Sequence, residues 1–376
     1  MRRILFYILL FVCTEGLAEE IRVSLFNTHH LEKVEFKARH SAHFANHKTI
    51  SFPENHWKKI KVFNGGIYIE GTNFGKKVLI SSDHWQSNFS LRSTGNQILE
   101  SVYEGKLEIS VKNGNLSLIN IIELEDYLTG VVESESGKDQ NLEYYKTQAI
   151  ISRTWTLSNL EKHSQEGFHL CDQVHCQAYK GMARFNPEID QAVEETESVV
   201  IVDSQINLIH ATYHSNCGGQ TVNSEEVWSK KVSYLRSVKD TFCIHSKHAQ
   251  WQKSFGIKKF EKIFKEKYNL NAEEIETIKE IHPKERLSIL EVNGKQLLTK
   301  EIRKDLKLNS NFFKISSDNR ESIFVGRGFG HGVGLCQEGA MVMSKKGYSY
   351  FDILHHYYSN IHLVHRSYIA FFKEED

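Results

Sequence analysis

Residues 141–163, NLEYYKTQAIISRTWTLSNLEKH, contain neither Gly nor Pro, and apolar or small residues recur at 142, 145, 149, 152 and 156. That spacing puts them on one helical face, with Asn141 placed as a cap, and predicts a buried helix. Such a helix needs layers on its sides, and the flanking sequence supplies them. IRVSLF, KIKVF, GIYIEG, KKVLISS, KLEISV and LSLINII, all within residues 21–120, are short alternating or β-branched runs. Asn64-Gly65-Gly66 and Asn113-Gly114-Asn115 are hairpin turn signals. Strands and helices do not alternate regularly, so the chain reads as α+β. We expect mixed, mostly antiparallel strands, a central buried helix, C-terminal helices and a β-rich N-terminal region.

The first residues, MRRILFYILLFVCTEGLAEE, have the layout of an export signal. Arg2 and Arg3 are the basic end, Ile4 to Val12 are too short to span a bilayer, and Gly16-Leu17-Ala18 offers a cleavage site. Val12 is bulky for a lipid-modification site at Cys13. The expected segments are a signal peptide at 1–18, a β-rich region at 19–98 and a larger domain at 99–376. A helix–hairpin–helix subregion is expected inside the last, at about 255–315. Forty-seven basic residues balance 47 acidic ones, which argues against a nucleic-acid partner. No later run is apolar enough for a transmembrane segment, so the mature chain is expected to be exported. Loss of Cys13 leaves five cysteines, an odd number for an oxidising compartment.

Four stretches carry chemistry. In GRGFGHGVGLCQEGA, residues 326–340, glycines alternate around His331. The spacing fits neither G-x-G-x-x-G nor a P-loop, so an extended segment is expected, with Arg327, Phe329, His331 and Val333 on one side. In GVVESESG, Glu133 and Glu135 lie two apart and would share a face on an extended segment. In HLCDQVHCQAY, His169, Cys171, His175 and Cys176 suit a tetrahedral zinc ion, with a Cys171–Cys176 disulfide as the other reading. HATYHSNCGGQT and DTFC bring His214 and a Cys217–Cys243 disulfide candidate, with Cys336 competing for the same partner.

LEDYLTGVVESE, KTQAIISRTW, CDQVHCQAYKG, TYHSNCGGQT, VWS, YLRSV, GRGFGHGVGLCQEGA and GYSYFDILHHYY, in this order, resemble the SpoIID/LytB family of bacterial cell-wall proteins. The match spans roughly residues 100–365 and makes 99–376 the expected catalytic domain. The resemblance implies a lytic transglycosylase that cleaves MurNAc–GlcNAc glycan of peptidoglycan, with strands stripped of stem peptides as the expected substrate. Other members enhance a cell-wall amidase, which makes an amidase a second expected partner. Glu135 matches the family glutamate, although Ser136-Gly137 replaces the usual Met-Pro. Arg153, Gln148, His214 and His331 match further conserved-motif positions of the family. Zinc-carrying members imply one structural zinc at Cys171, His175 and Cys176, completed by His169 or His163. No organic cofactor is implied.

A glutamate with a raised pKa protonates the glycosidic oxygen, and the C6 hydroxyl of the same muramic sugar attacks in place of water. One carboxylate then suffices, and the product is a 1,6-anhydro sugar. The expected sugar-binding wall comprises Tyr179, Ser215, Gly328, Phe329, Gly330, Gly332 and Gln337. On an ideal helix Gln148 and Arg153 lie about 140° apart, so a support role is expected for at least one. The competing readings are a muramidase using Glu133 or Asp139 as second carboxylate, and a non-enzymatic wall-binding enhancer.

Overall fold

The alternating runs of the N-terminal third form strands whose apolar residues face one another across two sheets. In the computed structural model the described residues are 19–369, apart from 28, 39–41, 46–55, 83–87, 95–99, 183–185 and 284. The expected signal peptide and Cys13 lie outside them. Two compact units divide the chain, Met1–Tyr127 and Leu128–Asp376.

The first unit contains β1 (Glu20–Leu25), β2 (Lys33–Ala38), β3 (Ala42–Ala45), β4 (Lys58–Phe63), β5 (Gly66–Ile69), β6 (Thr72–Asn73), β7 (Lys77–Ser82), β8 (Asn88–Ser93), β9 (Glu100–Glu104), β10 (Lys106–Lys112) and β11 (Asn115–Glu123). One sheet runs β1-β11-β10-β7-β3 and the other β6-β5-β4-β2-β8-β9. Every pairing within them is antiparallel. Val34, Ile60 and Ile67 of one sheet and Val23, Leu107 and Ile109 of the other are 0% exposed, which marks the shared core. Both hairpin signals hold: Asn64-Gly65 joins β4 to β5, and Asn113-Gly114 joins β10 to β11. Buried Asn120 donates to the carbonyls of Glu104 and Lys106 at 2.7 and 3.2 Å, closing the turn between β9 and β10. The unit extends past the 98/99 boundary expected from sequence because β9 to β11 complete its sheets.

The second unit is built on α2 (Leu142–Leu157), preceded by α1 (Leu124–Ser136). Then follow β12 (Leu170–Cys171), α3 (Pro187–Glu195), β13 (Val199–Val202), β14 (Tyr213–His214) and β15 (Gln250–Gly256). The subregion contributes α4 (Ile257–Tyr268), α5 (Ala272–Ile278), β16 (Glu280–Ile281), β17 (Ile289–Val292), β18 (Lys295–Leu298), α6 (Thr299–Asp305) and β19 (Phe313–Ser317). Last come β20 (Glu321–Arg327), β21 (Leu335–Cys336), α7 (Gln337–Lys345), α8 (Tyr350–Tyr357) and β22 (His362–His365).

Helix α2 is the expected buried helix. The Asn141 side chain accepts from Glu143 N at 2.9 Å, and α3, β13, α7 and α8 surround the helix. After β13 the chain turns at Asp203-Ser204, with a single bridge from Val202 to Leu208. β13 pairs along its whole length with β22, antiparallel, Val200 opposite Val364 and Ile201 opposite Leu363. Strands β15, β20, β19 and β16 form one sheet. Phe260 and Phe264 of α4 pack on Phe324 of β20, all three fully buried. Each contributes about 1.5–3 kcal/mol of burial, so the subregion has its own core. Ser349 and Asp352 form a capping box at the start of α8.

Candidate active site

A cleft of about 780 Å³ opens in the second unit, between the end of α1, the turn after β12, the β14 segment and the glycine-rich loop. Glu135 reaches it from the last turn of α1, where the helix dipole disfavours a carboxylate anion. Its Oε1 accepts the Ala178 N–H at 2.8 Å, and the Tyr213 hydroxyl bonds the same carboxylate. Burial pushes its pKa above the usual carboxylate range, and these two bonds with the nearby Lys180 charge oppose the shift only in part.

The GVVESES segment is helix, not extended chain, which corrects the expected geometry of the two glutamates. At about 100° per residue, Glu133 and Glu135 lie about 160° apart around the helix. Glu133 lines a separate cleft of about 670 Å³, together with Asp139 and Glu188. Among the described residues, Glu135 is the one carboxylate on the wall of the larger cleft.

His214 and His331 face each other with ring centroids 5.4 Å apart. His214 Nδ1 donates to the Val333 carbonyl at 3.2 Å, and its buried Nε2 has no hydrogen-bond partner among the described residues. That nitrogen is a bare acceptor on a residue of the cleft wall. His331 Nδ1 accepts the Val333 N–H at 3.1 Å, so its other nitrogen carries the proton and bonds the Tyr213 main chain. Burial, with the Arg303 and Arg286 charges, lowers His331 to about 4, and burial with His331 and Arg286 holds His214 well below the usual range. Both rings are therefore neutral near pH 7.

Other expected site residues lie elsewhere. Arg153 is fully buried and donates to the carbonyls of Val199 and Val193 at 3.1 and 3.4 Å, tying α2 to α3 and β13. Gln148, also fully buried, sits behind the cleft, and its Oε1 accepts from Gln337 Nε2 at 3.3 Å. The two point apart on α2, as their helical spacing requires. Tyr179 is 3% exposed and packs under Gly130 of α1, so it offers no stacking face. Ser215, Gln337, Phe329 and Gly330 do line the cleft.

The glycine-rich loop departs from the extended form expected of it. β20 ends at Arg327, and Gly328, Gly330, Gly332 and Gly334 all take positive φ. Gly332, at φ 87°, is where a Cβ would fall 2.0 Å from the Arg286 guanidinium. At Gly330, a Cβ would stand 2.8 Å from the His214 Cβ. Gly328 is buried against Asn216 and Gly218. The alternation therefore serves close packing that seats His331 beside His214, and only Phe329, Gly330 and His331 of this loop face the cleft.

Sequence reasoning passed over much of the cleft wall. Trp155, Trp228 and Tyr213 line it, as do Lys162 and Arg303. Trp228 is 40% exposed, with its ring 5.2 Å from His331, and the Lys162 ammonium lies 5.1 Å over Trp155. Both tryptophans stand inside recognised motif text, which was the available signal. Arg303 lies on α6 in the subregion, where no motif marks it.

Beside the cleft, His163, Cys171, His175 and Cys176 bring four donor atoms within 4.8 Å of one another. Of the two histidines the resemblance offered, His163 joins the group and His169 does not, because a 3-10 turn at Ser164–Glu166 folds the chain back after α2. Glu166 holds His163 Nδ1 at 2.5 Å, and its Nε2 lies 3.5 Å from Cys176 Sγ. The Cys171 and Cys176 sulfurs are 3.4 Å apart, and His175 Nδ1 is 3.8 Å from each. Tetrahedral zinc with bonds of about 2.3 Å to sulfur and about 2.0 Å to nitrogen puts such donors about 3.3–3.8 Å apart, so these residues fit it. A disulfide needs the sulfurs at about 2.0 Å. The adjacent His175 and Cys176 reach the same point despite their neighbouring positions.

The family model for SpoIID, stage II sporulation protein, matches residues 112–202, from the end of β10 through β13. Stage II sporulation protein D of Bacillus subtilis is 30% identical over 262 residues, 66% of this chain and 76% of that protein. An uncharacterized protein of Brachyspira hyodysenteriae is 27% identical over 312 residues, 81% of this chain and 79% of that one. The amidase enhancer of B. subtilis is 26% identical over 286 residues, 61% of this chain and 39% of the enhancer. The shared span carries the end of α1, the buried helix and the loop bearing the thiols, and on that basis the chain belongs to the SpoIID/LytB family.

Proposed function

We propose that this chain is an exported lytic transglycosylase that cleaves MurNAc–GlcNAc strands of peptidoglycan and leaves 1,6-anhydroMurNAc ends. Its family is associated with hydrolytic or lytic action on the cell wall. The observation that carries the finer reading is the lone, pKa-raised Glu135 on the cleft wall, with Glu133 and Asp139 lining another cleft. A hydrolase of the usual kind needs a second carboxylate across the scissile bond, whereas an internal C6 hydroxyl does not.

Protonated Glu135 gives its proton to the glycosidic oxygen as the C1–O4 bond breaks. The muramic O6 bonds to C1, and its proton passes to the Glu135 carboxylate, which is thereby reset. The Ala178 N–H and the Tyr213 hydroxyl hold the anion between the two transfers. Trp228 and Phe329 offer apolar faces to sugar rings, and His214 Nε2 offers an acceptor to a sugar hydroxyl. Arg303 and Lys162 suit the lactyl carboxylate that MurNAc exposes once its stem peptide is removed, which supports a stem-poor substrate. Zinc at His163, Cys171, His175 and Cys176 would be structural: it would brace the loop that carries Ala178. Export and wall association agree with the N-terminal signal pattern, and no helix among the described residues is long and apolar enough to cross a membrane.

Mass spectrometry of glycan strands, with and without stems, after incubation with the mature chain tests this reading. Anhydro ends made by the wild type and absent with Glu135→Gln are the expected result, and reducing ends would indicate a muramidase. The similarity to an amidase enhancer favours one other reading, a wall-binding partner of an amidase. It predicts that Glu135→Gln still stimulates the amidase fully and that neither form releases fragments.

A further inference from the structure

Behind the cleft lies a second group of donors that the chemistry above does not use. Cys217, Asp240, Cys243 and Cys336 bring their ligand atoms within 4.8 Å of one another, all four buried. Cys217, Asp240 and Cys243 are 0% exposed, as is Cys336. Cys217 Sγ is 3.3 Å from Cys243 Sγ and 3.3 Å from Asp240 Oδ2. The Cys336 sulfur accepts N–H bonds from Cys217 at 3.3 Å and from Gly339 at 3.4 Å, which fix its position. The Tyr357 hydroxyl donates to Asp240 Oδ2 at 2.9 Å and orients it. Half-buried Arg286 donates to the Cys217 carbonyl at 2.6 Å and places a positive charge beside the group.

We propose that this group is a second, structural zinc site, with Cys217, Cys243 and Cys336 as thiolate ligands and Asp240 as the fourth ligand. Three sulfurs and one carboxylate oxygen, closed off from solvent, are the donor set of a four-coordinate structural site. A Cys217–Cys243 disulfide would use two of the sulfurs and leave Cys336 as a thiol against it. A metal ion uses all four donors. It also resolves the odd cysteine count of the mature chain, two thiols going to the cluster with His163 and three to this one. The ligands come from three separate stretches. Cys217 follows Tyr213, His214 and Ser215, and Cys336 precedes Gln337, so the ion would clamp both loops that line the cleft.

The test is elemental analysis of the full mature chain, produced by export in a bacterial host and purified without reductant. Two zinc ions per chain are expected. His163→Ala with Cys171→Ser removes one, and Cys243→Ser or Cys336→Ser removes the other. Should the last two variants fail to fold, alkylation of the wild type decides: chelator alone, without reductant, should make all five cysteines reactive. A zinc content that Cys243→Ser and Cys336→Ser both leave unchanged overturns the proposal, whatever the site with His163 holds. So does a second zinc that survives Cys243→Ser, or a Cys217–Cys243 pair that only a reductant opens.

Discussion

The Glu135 carboxylate accepts its 2.8 Å bond from the main chain of Ala178, two residues beyond Cys176. The proposed acid is thus held by the same loop that carries the thiol cluster, and any loosening of that loop reaches the reacting group directly. Four expectations follow from this arrangement and from the packing behind it.

The pH dependence has a defined sign. The Glu135 pKa is raised in the folded chain, so the folded state keeps this proton above the ordinary carboxylate range. Its stabilising contribution is complete below the unfolded pKa and is lost as pH rises through the folded value. Cleavage rate should fall over that same upper limb, because the acid form is consumed. Glu135→Gln should therefore raise the Tm at neutral pH and leave it unchanged in mild acid, while lowering the cleavage rate about 10²–10⁴-fold. Thermal melts and product assays across pH check both halves, and equal Tm shifts at every pH would contradict the raised pKa.

Glu133→Gln and Asp139→Asn should leave the cleavage rate within about twofold of wild type, since surface changes away from a site are usually within about 0.5 kcal/mol. Both carboxylates line the other cleft. A large loss with either one, measured as fragment release, would restore a two-carboxylate mechanism.

Arg153→Met should lower stability by about 2–3 kcal/mol, because two main-chain carbonyls lose a charged donor in a dry setting. Under conditions where the variant stays folded, KM for glycan should be unchanged. Denaturant unfolding alongside kinetics separates the two effects; a raised KM in a fully stable variant would place Arg153 against substrate.

Gly332→Ala tests the loop. The added Cβ meets the Arg286 guanidinium at 2.0 Å, on a backbone with φ 87° that side chains rarely adopt. The strain should cost about 1–3 kcal/mol and displace His331, so Tm and cleavage rate should fall together. Gly137→Ala is the matched control: it also has a positive φ, 71°, but its Cβ would meet nothing within 4 Å. It should cost the backbone strain alone and leave the site intact.

Local pattern carried much of the architecture. The gap-free helix at α2, its Asn141 cap and the Asn-Gly turns of the N-terminal sheets were all legible, because each depends on residues within a few positions of one another. Motif text likewise marked Glu135, His214 and His331. What it could not supply was direction. GVVESES reads equally well as strand or helix over so short a span, and only its continuation from β11 through α1 settles that Glu133 and Glu135 diverge.

The glycine loop shows the same limit. Alternation in sequence suggested an open wall, but the close neighbours that demand each glycine, Asn216, His214, Arg286 and Thr212, come from distant stretches. The choice of His163 over His169, Arg303 in the cleft and the gathering of Cys217, Asp240, Cys243 and Cys336 are likewise products of the fold. Helical and strand periods are set by neighbours along the chain, so one sequence can announce them. A donor's aim and its company are set by contacts between segments scores of residues apart, and those exist only once the chain has closed on itself.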